Sequence, residues 1–140
     1  MHAALIERTV FPPSQQRVLL VDDDPGVGRF LGHAVAESGC SATVTGTAEA
    51  FRETYRRTRP EVVILDLALA RSDGIELLKF LAEESCPALV LIVSGFDERV
   101  VEAALRLGCA LGLNMGLPLK KPVLVDEISA AIAAGPVAVQ

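Results

Sequence analysis

The stretch "VLLVDDDPGVGRFLGHA", residues 18–34, decides the fold because it admits two incompatible readings. An apolar run followed by Gly26, Gly28 and Gly32 has the look of a loop that cradles a dinucleotide pyrophosphate at a helix N-terminus. Asp22, Asp23 and Asp24 stand where bare backbone amides would receive that pyrophosphate, and they fill the position with negative charge. A ribose-binding acid is also missing about 20 residues on, where the chain reads "SATVTGT". The dinucleotide reading therefore fails, and the glycines are read as helix-surface positions that admit close packing. Asp24 followed by Pro25 then marks an N-cap and a first helical residue.

Outward from this stretch, short β-branched runs alternate with longer amphipathic segments. "RVLLV" precedes a helix over 25–38, "SATVT" one over 48–58, "EVVIL" one over 74–84, "ALVLIV" one over 97–112, and "MGLPL" one over 124–134. Val27, Phe30, Leu31, Ala34 and Val35 define an apolar stripe on the first helix, whereas Phe51 and Tyr55 give the second only a weak one. Thr47 reads as a cap for the second helix, and Asp73 with Glu76 has the spacing of a capping box. "EVVIL" and "ALVLIV" are apolar throughout, as strands are when helices cover both faces of a parallel sheet. Five βα repeats predict an α/β domain doubly wound around a five-stranded parallel sheet.

Length and composition bound the rest. A chain of 140 residues with 51% hydrophobic content can bury one adequate core but not two. Residues 1–16 end in "FPPSQQ" and read as an N-terminal extension, 17–135 as the domain, and 136–140 as a tail. A formal charge of -5 weighs against direct nucleic-acid or anionic-membrane binding and favours proteins or cations as partners. Cys40, Cys86 and Cys109 include no CxxC pair and read as free thiols of a cytoplasmic protein. The N-terminus lacks a signal-peptide pattern, and no apolar stretch is long enough to span a bilayer.

The first polar residues after the strands carry the chemistry. Asp22 to Asp24 follow the first strand, Asp66 the third, Ser94 the fourth, and Lys120 and Lys121 the fifth. In an open parallel sheet all carboxyl ends share one edge, where ligands bind, so these residues are expected to meet. Clustered carboxylates repel and must be protonated or hold a cation. A hard divalent ion, Mg²⁺ with Mn²⁺ an admissible substitute, removes the conflict and keeps positions open for a phosphoryl oxygen. A hydroxyl and an ammonium beside it suit an anion that the metal does not fully neutralise. Each residue alone also has a plain structural reading: a solvated acidic run with a helix cap, a turn serine, a surface lysine.

With "VLLVDDDP", "VVILDLALARSDGIELL", "LIVSGFD" and "KKP" in this order, residues 17–134 resemble the receiver domain of bacterial response regulators. The resemblance implies a flavodoxin-like (βα)5 fold with strand order 2-1-3-4-5. It implies Asp66 as the phospho-acceptor, Asp22, Asp23, Asp66 and the Ala68 carbonyl as Mg²⁺ ligands, and Ser94 and Lys121 as partners of the phosphoryl group. Lys121 is preferred over Lys120 because neighbours on a strand point to opposite sides, and the Lys121-Pro122 bond is a candidate for the cis isomer. A sensor histidine kinase or histidine phosphotransfer protein would be the donor. The face made by the fourth helix, fifth strand and fifth helix would bind an effector or a second copy.

Several positions depart from the family pattern. Ala70 replaces a common proline, Pro118 replaces an aromatic that many receivers rotate inward, and Leu124 replaces a capping Asp. The stretch "LGCALGLNMGLPLKKP" is longer than usual, and the proline within it fits an edge strand. Ala68 and Phe96 supply no polar group to align an attacking water, which predicts slow self-dephosphorylation. Two rival readings are a receiver-like interaction module that is never phosphorylated, and a phosphatase of the haloacid-dehalogenase type. The latter needs an acid two residues after Asp66, where this chain has Ala68.

Overall fold

The computed structural model describes residues 16–69, 73–95 and 97–137. Along the chain run β1 (Arg17–Val21), α1 (Pro25–Glu37), β2 (Ser41–Thr45), α2 (Ala48–Thr58), β3 (Val62–Asp66) and α3 (Asp73–Glu83). They are followed by β4 (Leu89–Ser94), α4 (Glu98–Ala110), β5 (Asn114–Met115), β6 (Leu119–Lys120) and α5 (Val125–Ala134). All pairings are parallel, in the order β2-β1-β3-β4-β5, with β6 also on β4. This is the doubly wound α/β fold that the alternating pattern predicts, with the flavodoxin-like strand order that the resemblance implies.

Successive residues of the central strands feed opposite layers. Val18, Leu20, Ile64, Leu91 and Val93 pack with Leu31 and Val35 of α1 and Ile128 of α5. Leu19, Val21, Val63, Leu65, Val90 and Ile92 pack with Phe51 and Tyr55 of α2, Leu77 and Leu81 of α3 and Ala104 of α4. Strands covered on both sides have no polar face, which explains the uninterrupted apolar runs.

Two packing details differ from the sequence expectation. On α1 the buried row is Gly28, Leu31, Gly32 and Val35, with Ala34 beside it, while Phe30 is 54% exposed. A Cβ on Gly32 would stand 2.8 Å from a Val44 methyl and one on Gly28 3.2 Å, so the bare glycine backbone turns toward β2 and carries Phe30 outward. On α2, Phe51 and Tyr55 are completely buried and meet Phe80 edge-on, a stronger anchor than their sparse spacing indicates.

The fifth strand position is also not one continuous strand over "MGLPL". Val90 pairs with Met115 and Val93 with Leu119, so three steps on β4 oppose four on its neighbour. One extra residue bulges out at Gly116–Pro118, where Pro118 has no amide to donate. The edge of the sheet tolerates this because no further strand lies beyond it among the described residues; only the Val137 amide reaches the Met115 carbonyl, at 2.7 Å.

The caps at Asp24 and Thr47 form as read: Asp24 Oδ1 accepts from Gly26 N at 2.9 Å and Thr47 Oγ1 from Ala50 N at 3.1 Å. Asp73 is itself the first residue of α3, with Glu76 in the same turn paired to Lys79 at 3.5 Å. Leu124 has no side-chain cap to offer, but Glu127 Oε1 accepts its amide at 2.8 Å and closes half of the arrangement.

Gly108 of α4 tests the packing directly, since a Cβ there would overlap the buried Met115 thioether. Gly108→Val is expected to destabilise the fold by about 1–3 kcal/mol in urea unfolding. Adding Met115→Ala should cost less than the sum of the single changes, because the two side chains compete for one space.

Candidate functional site

The three consecutive acids divide their labour by backbone position. Asp22 leaves the end of β1 with its carboxylate inward, and its Oδ1 accepts the Asp24 amide at 2.9 Å. Asp24 caps α1, and Asp23 between them is exposed. The β1 tip is held by its neighbour: Asp22 N donates to the Thr45 carbonyl at 3.1 Å, and the buried Thr45 hydroxyl to the Leu20 carbonyl at 2.8 Å.

Asp66 is the last residue of β3, and β3 lies directly beside β1. Asp22 and Asp66 are 2% and 1% exposed, two carboxylates removed almost entirely from water. Asp66 Oδ1 accepts the Ala68 amide at 2.9 Å, which ties the carboxylate to the following turn. A Cβ on Gly74 would lie 3.3 Å from both the Asp66 carbonyl and Leu67 Cα, so that glycine lets the start of α3 close over the turn. Sequence reasoning assigned Gly74 no part. Its only signal is a glycine next to the first residue of a helix.

Lys121 completes the cluster from the far side of β4. Its amide donates to the Ser94 carbonyl at 2.9 Å, and its ammonium lies 3.2 Å from Asp22 Oδ2 and 3.3 Å from Asp66 Oδ2. The peptide bond to Pro122 is cis. Lys120 faces elsewhere, into a groove of about 300 Å³ that it lines with Ser94, Asp97, Glu98, Val101, Leu105 and Pro118. Ser94 is half-buried, and its hydroxyl makes no hydrogen bond among the described residues. Ala70 and the Phe96 side chain lie outside the described residues.

The electrostatics are those of an incompletely neutralised pit. Burial raises Asp66 above the ordinary carboxylate range and the Asp22 charge adds to this, against the opposing pull of the Ala68 amide and Lys121. Burial by itself would lower Lys121, but the carboxylates of Asp66 and Asp22 reverse that, so its net shift is upward. Asp22, Asp23 and Asp66 each offer an oxygen within 4.8 Å of the others. Three formal negative charges against one ammonium leave two, the charge of one divalent cation. Asp22 Oδ2 is buried, and the Lys121 ammonium 3.2 Å away approaches it too poorly aligned for a regular hydrogen bond. An all-oxygen donor set with an orphaned buried carboxylate oxygen fits a hard divalent ion.

The comparisons agree with this geometry. The model of the response regulator receiver domain family matches residues 18–133. The DNA-binding response regulator MtrA of Mycolicibacterium smegmatis is 29% identical over 118 residues, 84% of this chain and 51% of that protein. The alkaline phosphatase synthesis transcriptional regulatory protein PhoP of Bacillus subtilis is 25% identical over 121 residues, 85% of this chain and 48% of its own. This chain thus spans about half the length of the curated relatives it matches. Among solved structures, a response regulator from Colwellia psychrerythraea is similar with a TM-score of 0.74 and 30% identity, covering 86% of this chain and 96% of that one. The receiver domain of Francisella response regulator 1452 gives 0.70 and 25%, covering 86% and 95%. The pit at the carboxyl edge of a 2-1-3-4-5 sheet and the match across nearly the whole described chain lead to one assignment: this chain belongs to the response regulator receiver domain family of two-component signalling.

Proposed function

We propose that the chain is a phosphorylation switch that accepts a phosphoryl group on Asp66 from the phosphohistidine of a sensor kinase or phosphotransfer protein. The observation that supports this most strongly is the meeting of Asp22, Asp23, Asp66 and Lys121, from three separate strand ends, in one partly buried cluster. A folded domain does not bury two adjacent carboxylates for stability, since their desolvation costs several kcal/mol each.

Asp22, Asp23, Asp66 and the Ala68 carbonyl would hold Mg²⁺, or Mn²⁺ in its place. The ion would supply charge compensation for the acids and for the transferring phosphoryl oxygens. An Asp66 carboxylate oxygen forms the new P–O bond as the P–N bond of the donor breaks, leaving an acyl phosphate. Ser94 moves inward and Lys121, whose ammonium already reaches Asp66, pairs with the acyl phosphate oxygens, which biases the face of α4, β5–β6 and α5 toward a partner or a second copy. Pro118 borders the groove on that face, so the switch works without a rotating aromatic ring.

The domain is a signalling component rather than an independent enzyme, and the cytoplasm is its proposed location. Among the described residues no helix is long and apolar enough to cross a membrane. The charge of -5 supports protein partners for this chain, while the DNA binding named for MtrA belongs to a protein about twice as long. Ala68, where a haloacid-dehalogenase-type phosphatase needs an acid, speaks against that chemistry. The complete acid set speaks against a receiver-like module that is never phosphorylated.

Incubation with acetyl phosphate and Mg²⁺ is expected to add one phosphoryl mass to the wild type and none to Asp66→Asn, read by intact mass spectrometry. Ser94→Ala should slow the gain by about tenfold or more, as when one charge-stabilising donor is removed. Wild type that gains no mass under these conditions while remaining folded would return the chain to the interaction-module reading. Once formed, the acyl phosphate should decay slowly, because Ala68 offers no polar side chain to orient water; a half-life of seconds with Mg²⁺ present would contradict this.

The raised Asp66 gives a signed pH dependence. Without metal, the folded state holds the Asp66 proton more tightly than the unfolded state does. Its contribution to stability is therefore greatest below the unfolded value and is lost as pH rises through the folded one. Mg²⁺ needs the ionised form, so its stabilising effect should grow as pH rises from the ordinary carboxylate range through the raised Asp66 value, reaching roughly 1.4 kcal/mol at tenfold excess over Kd. Thermal melts with and without MgCl₂ across that range would show it, and a gap that narrows as pH rises would contradict it.

A further inference from the structure

The edge of the sheet opposite β5 and β6 is β2, which has no partner strand on its outer side among the described residues. It pairs with β1 without a break, from Arg17 opposite Ser41 to Val21 opposite Thr45. Successive residues of a strand turn their backbone groups to alternate sides. Ser41 donates its amide to the Gln16 carbonyl at 2.9 Å, and the Thr45 carbonyl accepts from the Asp22 amide at 3.1 Å, so Ser41, Thr43 and Thr45 turn toward β1. The amides and carbonyls of Ala42 and Val44 therefore turn outward. Folded proteins blunt such an edge with charge, proline or a bulge. Here the register is unbroken, and the stretch from Ser38 to Thr47 holds neither a proline nor a charged side chain. Nor does α1 shield the strand: Gly28 and Gly32 come close to Val44 but offer no side chain to cover its outer side, and Val44 stays 44% exposed.

We propose that β2 pairs with β2 of a second copy, antiparallel about a two-fold axis at Thr43, so that one sheet runs through both molecules. The strand is complementary to itself in this register. The axis sets Ala42 opposite Val44 on each side of it, and these are the residues whose outward groups can exchange the paired bonds of an antiparallel ladder. Each exposed Val44 gains an alanine neighbour, and an uncharged strand meets its like without the repulsion that a net charge of -5 imposes on two copies elsewhere. Antiparallel strands also bring α1 beside its symmetry mate, head to tail. Exposed Arg29 in its first half would then approach exposed Glu37, the last residue of α1 in the second copy. The face of α4, β5–β6 and α5 lies at the far edge of the sheet and stays free for a different partner.

Sedimentation equilibrium of the full chain, from micromolar to millimolar concentration, is expected to show reversible dimerisation. Thr43 is exposed, so its charged variants should keep the fold, which circular dichroism checks. Thr43→Lys and Thr43→Glu each set like charges opposite one another at the axis and should weaken the dimer roughly fivefold or more. An equimolar mixture of the two sets opposite charges there and should associate at least as tightly as wild type. If either variant fails to fold, amide hydrogen exchange of the wild type decides: Ala42 and Val44 should become protected as concentration rises, while Ser41 and Thr43, bonded to β1, are protected throughout. A chain that stays monomeric at millimolar concentration, a dimer indifferent to both Thr43 variants, or a mixture no tighter than its components would overturn the proposal. Protection of Ala42 and Val44 that does not depend on concentration would overturn it as well, and would assign the edge to another segment of the same chain.

Discussion

Two buried carboxylates, Asp22 and Asp66, sit at the ends of adjacent strands, and a single ammonium reaches them both. Bringing such charges out of water costs several kcal/mol apiece, and one lysine does not balance two acids with a third beside them. The pit is therefore a place of unmet demand for positive charge, which a divalent cation would fit. The rest of the structure can be understood as the scaffold that maintains this demand. Rigid apolar layers on both faces of the sheet hold the strand ends, and short turns fix the direction of each carboxylate.

The turns do this with few atoms. Asp24 serves α1 as its cap and at the same time donates its amide to Asp22, so one residue both starts a helix and aims a carboxylate. The Ala68 amide does the same for Asp66, while Gly74 removes the Cβ that would keep α3 from the turn. Helix packing is subordinate to this geometry. Gly28 and Gly32 bring α1 close to β2, and the exposure of Phe30 is the consequence on the opposite side.

The least regular part of the sheet is the edge that leads to Lys121. The fifth strand position is divided by a bulge at Gly116–Pro118, and the piece nearest the pit, β6, leads straight into Lys121. Such an edge segment lacks a continuous ladder on its outer side, so its displacement disturbs fewer hydrogen bonds than a central strand's would. The apolar groove between α4 and β6 opens beside Ser94, on the face that would respond.

The extra length of "LGCALGLNMGLPLKKP" was visible in the sequence, but its resolution as one bulged residue was not, because register depends on what β4 offers opposite. Similarly, Phe30 completes an apolar stripe by spacing alone, yet the glycines beside it decide which side of α1 meets the sheet. Phe51 and Tyr55 looked like weak anchors because their period is short, and they prove fully buried because Phe80 of α3 closes over them.

What the sequence determined by itself was the local order: where helices cap, which strands are covered on both faces, and which polar residues end each strand. These follow from short-range periodicity and from interactions within a few residues. Only the tertiary structure decided the distances among Asp22, Asp66 and Lys121, the orphaned oxygen of Asp22 and the lysine's occupation of the pit. Those depend on residues 44 and 55 positions apart meeting in a common low-dielectric space, where the field at each group is set by neighbours that the linear order does not specify.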